Sequence, residues 1–519
     1  MAEEDLIFGK NRHLFGGIEP SNMIQFRYVL KDIEGSSSDN MELNLTLPKD
    51  TVIDGQTLCT VAGVVIRKKT GSYPTDEFDG ELVQDIKAGG GTSHTVSLGI
   101  RPSSSPTVYY SAFPYTAQGV YNRNEANRCT NNPDHTNYLF GFDLDLTDDD
   151  PATRVTYPSD VDNYAYSPAG MVQHYNSTSN AYEYKFSYGS WHNWNMNEIP
   201  FMPRFCALAS NGTVLEYNPS VNDVKLTDDG TNFMLEWPKI YTYRKVVNHV
   251  YKFRCSNIKI DDDWECWCNY DANGNEIDHF YTGAYLGKKD SDGRLRSVSG
   301  ETPDYFTTEE SMLTAARANG SDIWTTDVLV DRLLIQDLLV LLSKSTNGGK
   351  KFGFGSINDT DKTGLANATL TGDDKYFDTS SKTGLSGVVK VFGMEDLWST
   401  RYRYLAGLGY GKGLMKIKTN VKKGDVDDTI SLTFNQTEKG YIKSSTVRPY
   451  GRLPGSDLGG SSTTYDCDAL SYDGSYERSA YAGTGIGDEP GPFAVKFANA
   501  TKIYASLSCK PLAKKGGNE

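Results

Sequence analysis

The residues best suited to chemistry lie in one tract, from residue 465 to residue 487, where four tyrosines stand among glycines and short polar residues. Tyrosine gives a large contact area at a low entropy cost, and Ser, Gly, Asn and Asp adapt their hydrogen bonds to a ligand. Aromatic faces cover sugar rings, while carboxylates bind hydroxyl groups. We predict a ligand-binding surface formed by Tyr465, Asp468, Tyr472, Asp473, Tyr476 and Arg478. The alternative is that these tyrosines pack beneath loops.

The same tract offers Asp466, Asp468 and Asp473, and paired carboxylates can act as the acid and base of a hydrolase. In a chain with 67 acidic residues, such pairs carry little specificity. The seven histidines are scattered, and none lies near a serine or cysteine in a nucleophile motif. We therefore predict no catalytic residue, no cofactor and no enzyme activity.

The chain has eight cysteines, and the one close pair, Cys266 and Cys268, is separated by one residue instead of the usual two of zinc and redox motifs. We predict buried, unbonded thiols and no metal site. The run 143–150 is interpreted as a strand that ends in an acidic turn, with calcium binding as the alternative. The run 271–276 resembles half of an EF-hand loop but lacks flanking helices, so a turn is predicted.

Length and charge limit the class of protein. A chain of 519 residues is longer than a single hydrophobic core usually supports, which predicts two or three domains. The net charge of -15 disfavours binding to nucleic-acid phosphates or to an anionic membrane. No run has the length and apolarity of a membrane span, and the first residues do not resemble a signal peptide. We expect synthesis in a cytoplasm without Sec-type export.

Three segments differ in their patterns. Residues 1–125 contain apolar or alternating runs separated by turn residues, which predicts a small β-sandwich with strands near 24–33, 41–47, 57–67, 80–86 and 107–115. Residues 126–200 are polar and are predicted to form a connecting region. Residues 201–519 are predicted to form a second domain.

The second domain combines strand and helix patterns. Asn211-Gly212 predicts a hairpin turn, and residues 233–243 and 264–285 resemble strands. Residues 307–310 form a capping box that predicts a first helix. A second helix is predicted from Asp327 to Lys344, capped by one of the two threonines before it. Its apolar residues leave little polar face, so we expect a buried hub that includes Leu334 and Leu338.

Two resemblances cover most of the chain. The strand 58–67, the turn after it and the run 108–115 resemble a fibronectin type III domain, in the form found in tail-associated proteins of phages and prophages of Gram-positive gut bacteria. Short segments in collinear order resemble the C-type-lectin-like domain of phage tail proteins. They include residues 211–219, 234–239, 283–287, 393–398, 452–455, 459–468 and 480–493.

The lectin-like fold is shared with sulfatase-modifying enzymes and with the variable proteins of diversity-generating retroelements. The related pattern Gly-x-Glu-Asn-x-Trp is here Gly393-Met-Glu-Asp-Leu-Trp398, which keeps Trp398 as a core residue. Such an enzyme would need a copper-binding cysteine pair, and the surroundings of Cys467 and Cys509 do not resemble one. In the variable proteins the C-terminal region contacts the ligand, so the resemblance implies binding by the tyrosine-rich tract.

Together, the patterns and resemblances imply a mainly β protein with some helix (α+β): an N-terminal β-sandwich for attachment or spacing, and a C-type-lectin-like domain with two central helices. They imply a bacteriophage virion protein, associated with a tail or fibre, that displays a host-receptor or glycan-binding surface. The alternatives are a capsid or tail decoration protein with a purely structural role, and an enzyme of the sulfatase-modifying type.

The expected location is the virion, after synthesis in the host bacterial cytoplasm. The expected partners are other virion proteins, a host cell-surface glycan or protein, and further copies of the chain, with a trimer favoured. Weak contacts made by several copies would then add up to avidity. Neither nucleic acid nor membrane insertion is expected.

Overall fold

The structure is a computed structural model. It describes residues 24–29, 40–53, 55–70, 72–100, 108–123, 127–130, 138–192, 199–320, 322–358, 361–366, 375–381, 383–411, 413–419, 428–432, 437–473, 478–483, 490–498, 500 and 502–512. The chain is mainly β and divides into two compact units, residues 1–137 and 138–519. None of the described helices is long and apolar enough to cross a membrane.

The first unit is built entirely from strands in its described part. Their bounds are β1 Ile24–Val29, β2 Asn40–Thr46, β3 Thr51–Ile53, β4 Gln56–Cys59, β5 Val61–Thr70, β6 Glu81–Ile86, β7 Ser93–Ile100, β8 Val108–Thr116 and β9 Arg128–Thr130. They form two antiparallel sheets, in the orders β1-β2-β7 and β6-β5-β8-β9, and the hairpin β3-β4.

One hydrophobic core joins the two sheets of the first unit. Leu43 and Leu45 on β2 and Val64 and Ile66 on β5 are buried in the same cluster. Each sheet therefore contributes one apolar face, as the alternating patterns predicted. Strand β7, whose Val96 also lies in this core, was not among the strands predicted from sequence.

The second unit contains the remaining strands and all described helices. The first strands are β10 Leu139–Asp145, β11 Val155–Thr156, β12 Gly170–Asn176, β13 Ala181–Ser187, β14 Arg204–Leu208, β15 Val214–Tyr217, β16 Asn232–Pro238, β17 Tyr241–Val247, β18 Val250–Ser256, β19 His279–Leu286, β20 Lys288–Lys289, β21 Leu295–Arg296 and β22 Trp324–Thr326. The helices are α1 Glu309–Arg317, α2 Leu329–Ser343 and α3 Gly348–Phe352.

The later strands follow the helices. They are β23 Asp378–Thr379, β24 Val389–Val391, β25 Met394–Glu395, β26 Arg403–Gly411, β27 Leu414–Ile417, β28 Asp428–Ser431, β29 Thr437–Tyr441, β30 Ser445–Arg448, β31 Gly451–Pro454, β32 Ala469–Asp473, β33 Arg478–Ala482, β34 Val495–Ala498 and β35 Ser506–Cys509.

Three larger sheets organise the second unit. Their strand orders are β11-β10-β18-β17, β15-β14-β16-β19-β35-β22 and β28-β27-β26-β33-β34-β32-β29. Strand β34 lies between β33 and β32, and it pairs with β32 in parallel. Strand β35 lies between β19 and β22. Two strands that come late in the sequence are therefore interior strands of the two largest sheets.

The predicted connecting region, residues 126–200, is wrong as a description of most of that segment. Strand β10 pairs with β18 over its whole length, and Phe140, Phe142 and Leu144 on it are fully buried. Trp191 is buried in the same core. The apolar residues occupy alternate positions of short strands, so the average composition of the segment concealed them. The boundary predicted at residue 125 lies after residue 137 in the structure.

Of the turns and strands predicted from local sequence motifs, some are present in the structure and others are not. The hairpin at Asn211-Gly212 is confirmed, since it joins β14 to β15 with Gly212 at a φ of 80°. The predicted strand 233–243 is two strands, β16 and β17, which belong to different sheets and separate just after Pro238. Proline has no N–H to donate to a sheet. Residues 264–278 lie outside the named strands, and only β19 follows them.

Helix boundaries moved by a few residues from their predicted positions. Thr308, rather than Thr307, caps α1, and its side chain accepts a hydrogen bond from the Ser311 N–H at 3.2 Å. The threonines predicted to cap α2 belong to β22, and Val328 begins this helix without a side-chain cap. Asn347 follows α2 and caps α3, where its side chain accepts a hydrogen bond from the Lys350 N–H.

Helix α2 is buried along its whole length, as predicted, and Leu334 and Leu338 lie in the core. Its polar residues are buried too. The Asp337 carboxylate accepts from Arg244 Nε at 2.8 Å and from the Tyr251 hydroxyl at 3.0 Å. Asp331 forms an ion pair with Lys510 at 2.9 Å. Buried charges need such partners, because burial without one is costly.

Two further side chains of α2 bind backbone carbonyl groups of distant segments. Arg332 donates to the Leu397 oxygen at 2.8 Å and to the Pro492 oxygen at 2.9 Å. Gln336 donates to the same Pro492 oxygen at 2.7 Å. The helix is thus attached by hydrogen bonds to the segments that precede β26 and β34.

We expect Asp337→Ala to lower the free energy of unfolding of the second unit by about 3–5 kcal/mol, because it leaves the Arg244 guanidinium buried without its counter-charge. All seven tryptophans lie after residue 138, so denaturant unfolding followed by tryptophan fluorescence reports on this unit. Asp322→Ala is the matched control, since Asp322 is 87% exposed in its pair with Arg317 and should matter by less than about 1 kcal/mol. Equal losses in both variants would contradict the anchoring role of Asp337.

Candidate ligand-binding surface

The tyrosine-rich tract folds as a turn at residues 464–467 followed by β32 and β33. Tyr476 lies outside the described residues. The backbones of Asp473 and Arg478 pair with Thr437 and Tyr410, and the side chains of these two site residues lie outside the described part of the chain. The structure therefore places the two strands of the tract within the seven-stranded sheet.

Tyr465 is half-buried and is fixed by its backbone. Its N–H donates to the Asp149 oxygen at 2.8 Å, and its carbonyl oxygen accepts from the Thr346 hydroxyl at 2.5 Å. The Arg154 guanidinium lies 5.4 Å from the centre of the Tyr465 ring. Tyr465 also has a positive φ of 56°, which is uncommon for a residue with a side chain. The residue connects the turn to the start of the second unit.

Asp468 and Tyr472 are buried, so the prediction that they contact a ligand at the surface is corrected. Tyr472 packs edge-on against Tyr410 with ring centres 4.6 Å apart. Side chains alternate between the two faces of a strand, and β32 directs Leu470 and Tyr472 inward while Ser471 is partly exposed. Composition alone could not distinguish the two faces.

A different group of tyrosines and lysines beside the tract is at least partly exposed: Tyr305 and Lys502 are exposed, whereas Tyr402, Tyr404 and Lys496 are half-buried. We call Tyr305, Tyr402, Tyr404, Lys496 and Lys502 the aromatic–lysine surface. Lys496 Nζ lies 4.7 Å from the centre of the Tyr402 ring and donates to the Tyr402 hydroxyl at 2.7 Å. Lys502 Nζ lies 5.5 Å from the centre of the Tyr305 ring, and Tyr305 is 52% exposed. Each lysine therefore has its ammonium group over an aromatic ring.

The register of the seven-stranded sheet brings this group together. Tyr404 on β26 pairs with Tyr481 on β33, and Tyr481 pairs with Lys496 on β34. Lys496 is partly exposed between the buried residues Val495 and Phe497. Tyr404 donates from its hydroxyl to Glu309 at 3.2 Å. Cross-strand partners share a face, so Tyr404 and Lys496 lie in one row.

Sequence reasoning missed these residues because they are separated by almost two hundred positions. The one local signal was Tyr402-Arg-Tyr404, in which the two tyrosines alternate as they do on a strand. A backbone hydrogen bond connects this surface to the segment that follows β34: the Tyr504 N–H donates to the Tyr402 oxygen at 2.8 Å. Tyr504 in turn packs against Tyr305, with ring centres 6.5 Å apart.

A buried layer supports the segment that enters β34. Asp468 accepts from the Phe493 N–H at 2.7 Å, and the α2 residues Arg332 and Gln336 hold the neighbouring Pro492 carbonyl. A Cβ atom at Gly491 would lie 1.8 Å from Asp468 Oδ1, so no larger residue fits there without displacement. Fixed second-layer contacts of this kind hold a binding surface in one geometry.

Burial raises the pKa of Asp468 to about 8. The Phe493 N–H lowers it, the nearby Asp466 carboxylate raises it, and Arg332 and Arg452 lower it. The supporting layer therefore contains a carboxyl group that is largely protonated near neutral pH.

Trp398 is buried as expected for a core residue, and its indole N–H donates to the Gly353 oxygen at 2.9 Å. Gly393 in the same motif has a φ of 84°, and an added Cβ atom would lie 2.6 Å from the Phe205 ring. Only glycine accepts both the conformation and the close approach. The motif therefore closes over a packed part of the core.

The eight cysteines are unbonded, as predicted, and six of them are buried. Burial raises the pKa of Cys467 to about 12, which keeps this thiol protonated. Cys509 is a buried interior residue of a sheet; burial raises the pKa of its thiol, and the Cys206 thiol raises it further. The structure does not bring Cys467 and Cys509 together as a pair of metal ligands.

One group of potential metal ligands occurs among the described residues, formed by Glu265, Cys266 and Glu276 within 4.8 Å of one another. Its carboxylates already accept hydrogen bonds: Glu265 from Tyr270 at 2.5 Å, and Glu276 from Lys239 at 3.3 Å. The acidic run 143–150 ends β10 in a turn, as interpreted from sequence, where Asp145 and Asp150 accept backbone N–H bonds. Carboxylates of both groups therefore already have hydrogen-bond partners within the protein.

Comparison of the chain with protein-family models, with curated proteins and with solved structures gave no match.

We expect Asp468→Asn to remove a pH dependence of stability. The unfolded pKa is about 3.9, so between about pH 4 and pH 8 the folded state holds a proton that the unfolded state releases, and stability falls as pH rises by up to about 1.4 kcal/mol per unit. The amide can still accept the Phe493 N–H. Fluorescence-monitored unfolding should show Asp468→Asn gaining stability over wild type at pH 8.5 and little at pH 5, whereas the exposed control Asp322→Asn changes neither. A gain of equal size at both values of pH would refute the assignment.

Proposed function

We propose that this protein is a bacteriophage virion protein, associated with a tail or fibre, whose second unit displays a host-recognition surface. The proposal rests on the two resemblances in the sequence, to a fibronectin type III-like sandwich and to a C-type-lectin-like domain. The two antiparallel sheets of the first unit, with their shared core, are compatible with the former. The first unit then serves for attachment or spacing.

The observation that carries the proposal is the aromatic–lysine surface. Tyr404 and Lys496 belong to the strands on either side of β33, the second strand of the tract in which sequence predicted binding, and Lys496 donates to Tyr402. Tyrosine rings present apolar faces and polar hydroxyl groups together, which suits the faces and hydroxyls of sugars. Because its supporting layer is buried and hydrogen-bonded, little rearrangement is needed on binding.

The chemistry of the surface favours a glycan with anionic groups. Lys496 and Lys502 supply two positive charges in a chain of net charge -15. Each ammonium group lies over a ring. An ammonium group has three N–H donors, which can bind a carboxylate or sulfate. Several copies of the chain, with a trimer favoured, would each present this surface. Their weak contacts would then add up to avidity.

An enzymatic function has less support. Cys467 is held as a thiol by burial, and Cys509 lies inside a sheet. The three carboxylates of the tract are used structurally where they are described: Asp466 binds Arg452 at 2.5 Å, and Asp468 binds a backbone N–H. The proposal therefore assigns binding, with no catalytic residue.

The test is binding of fluorescently labelled protein to a panel of Gram-positive gut bacteria and to polysaccharides extracted from them. Combined replacement of Tyr402, Tyr404 and Lys496 by alanine should weaken binding about tenfold or more, equivalent to about 1.4 kcal/mol. The matched control replaces Tyr73 and Arg128 of the first unit, another pair in which the guanidinium lies over a ring, 5.4 Å from its centre. This control should bind as wild type does.

Unchanged binding by the triple variant, with an unchanged tryptophan spectrum, would reject the assigned surface. If wild-type protein binds no cell or polysaccharide, and particles that lack it lose stability, the protein is instead a decoration protein with a structural role.

A further inference from the structure

The hairpin β12-β13 is an arm of the second unit. Its strands pair over seven residue positions, and within the described part of the chain neither strand has a second strand beside it. Val172, Tyr175 and Tyr182 on it are 49%, 53% and 62% exposed. Isolated two-stranded hairpins are marginal in water, and open strand edges are sites where another chain can pair.

The base of the arm is firmly attached. Phe186 is buried and stacks on Phe377 with ring centres 4.4 Å apart. The N–H of Ala169, just before β12, donates to the Leu342 oxygen of α2 at 2.7 Å. The tip is ordered by its own bonds, since Asn176 accepts from the Thr178 N–H at 2.9 Å. The arm is therefore attached to the second unit at its base, and its tip has a hydrogen bond of its own.

The two faces of the arm differ in chemistry. The pairing places Gln173 opposite Tyr184 and Tyr175 opposite Tyr182 on one face, which continues from Met171 and Phe186 at the base. We call this the aromatic face of the arm. The Tyr175 and Tyr182 rings meet edge-on at 5.5 Å. The aromatic face contains no charged side chain, whereas the other face has Glu183 and Lys185.

We propose that the aromatic face binds a second copy of this chain, so that the arm is a self-association element. Interface cores are rich in tyrosine and poor in charged residues, as this face is. Two copies that each carry a net charge of -15 repel each other over most of their surfaces. Residues 170–187 contain one glutamate, one lysine and one histidine, so two arms can approach without that repulsion.

The exposed area sets the expected strength. A covered tyrosine buries about 150–250 Å², and these rings are already roughly half covered, so three rings from each of two arms would bury roughly 600 Å². This area is smaller than the about 1,000–1,200 Å² at which specific interfaces begin. The association is therefore weak for one pair and is reinforced where many copies are held on one particle.

The experiment is sedimentation velocity of the full chain over about 1–100 μM, the range of weak association. Wild type should show a rise in mass with concentration, and Tyr175→Ser/Tyr182→Ser should weaken this association at least tenfold. The control Leu215→Ser/Val246→Ser removes two exposed side chains, 61% and 42% exposed, from the edge strands β15 and β17 and should associate as wild type does. Both double variants change exposed residues, so the fold should persist.

A second measurement probes the contact directly. Gln173→Cys, at the centre of the aromatic face, should form a disulfide-linked dimer under mild oxidation, whereas Leu215→Cys should not. Wild type that stays monomeric throughout the series, or an arm variant that associates as tightly as wild type, overturns the proposal. Loss of glycan or cell binding by the arm variant, without a change in association, also overturns it and assigns the arm to a ligand. The result is separable from the proposed recognition function, because the variant of Tyr402, Tyr404 and Lys496 should keep its mass.

Discussion

The second unit depends on one constraint, which is that a fully buried helix carries four charged or amide side chains, and each of them needs a partner from outside the helix. Asp331, Arg332, Gln336 and Asp337 of α2 have no access to water, so each takes its partner from another part of the chain. An apolar helix could slide or rotate among similar packings. A helix with these four attachments has one position, and the segments that supply the partners are fixed with it.

The same attachments explain why the exposed surface is well defined. The Pro492 carbonyl is held by two side chains of α2, and Phe493 is held by Asp468, immediately before the strand that presents Lys496. The contact between Lys496 and the Tyr402 ring is therefore supported by buried, hydrogen-bonded residues. The arrangement separates two tasks, since buried groups set the geometry and exposed groups remain available for binding.

Sequence patterns predicted the features that depend on residues close together in the chain. They did not predict the features that depend on pairing between strands far apart in the chain. Mainly β structure, the buried helix and the Asn211-Gly212 turn follow from local spacing, and all three are present. The inward direction of Tyr472 depends on strand register, which only the neighbouring strands fix. The row of Tyr404 and Lys496 likewise requires β33 to lie between their strands. Residues 138–200 were misjudged because average polarity hid alternate buried positions.

The interior positions of β34 and β35 have a consequence for how the second unit forms. Each strand enters between two strands that precede it in sequence, so neither of the two largest sheets can close until residues 495–509 are available. Until then, the strands that flank β34 and β35 have unpaired edges. Long-range pairing of this kind is slow. A chain interrupted before residue 495 would leave both sheets split. Strand insertion therefore couples the completed synthesis of this segment to the formation of the whole unit.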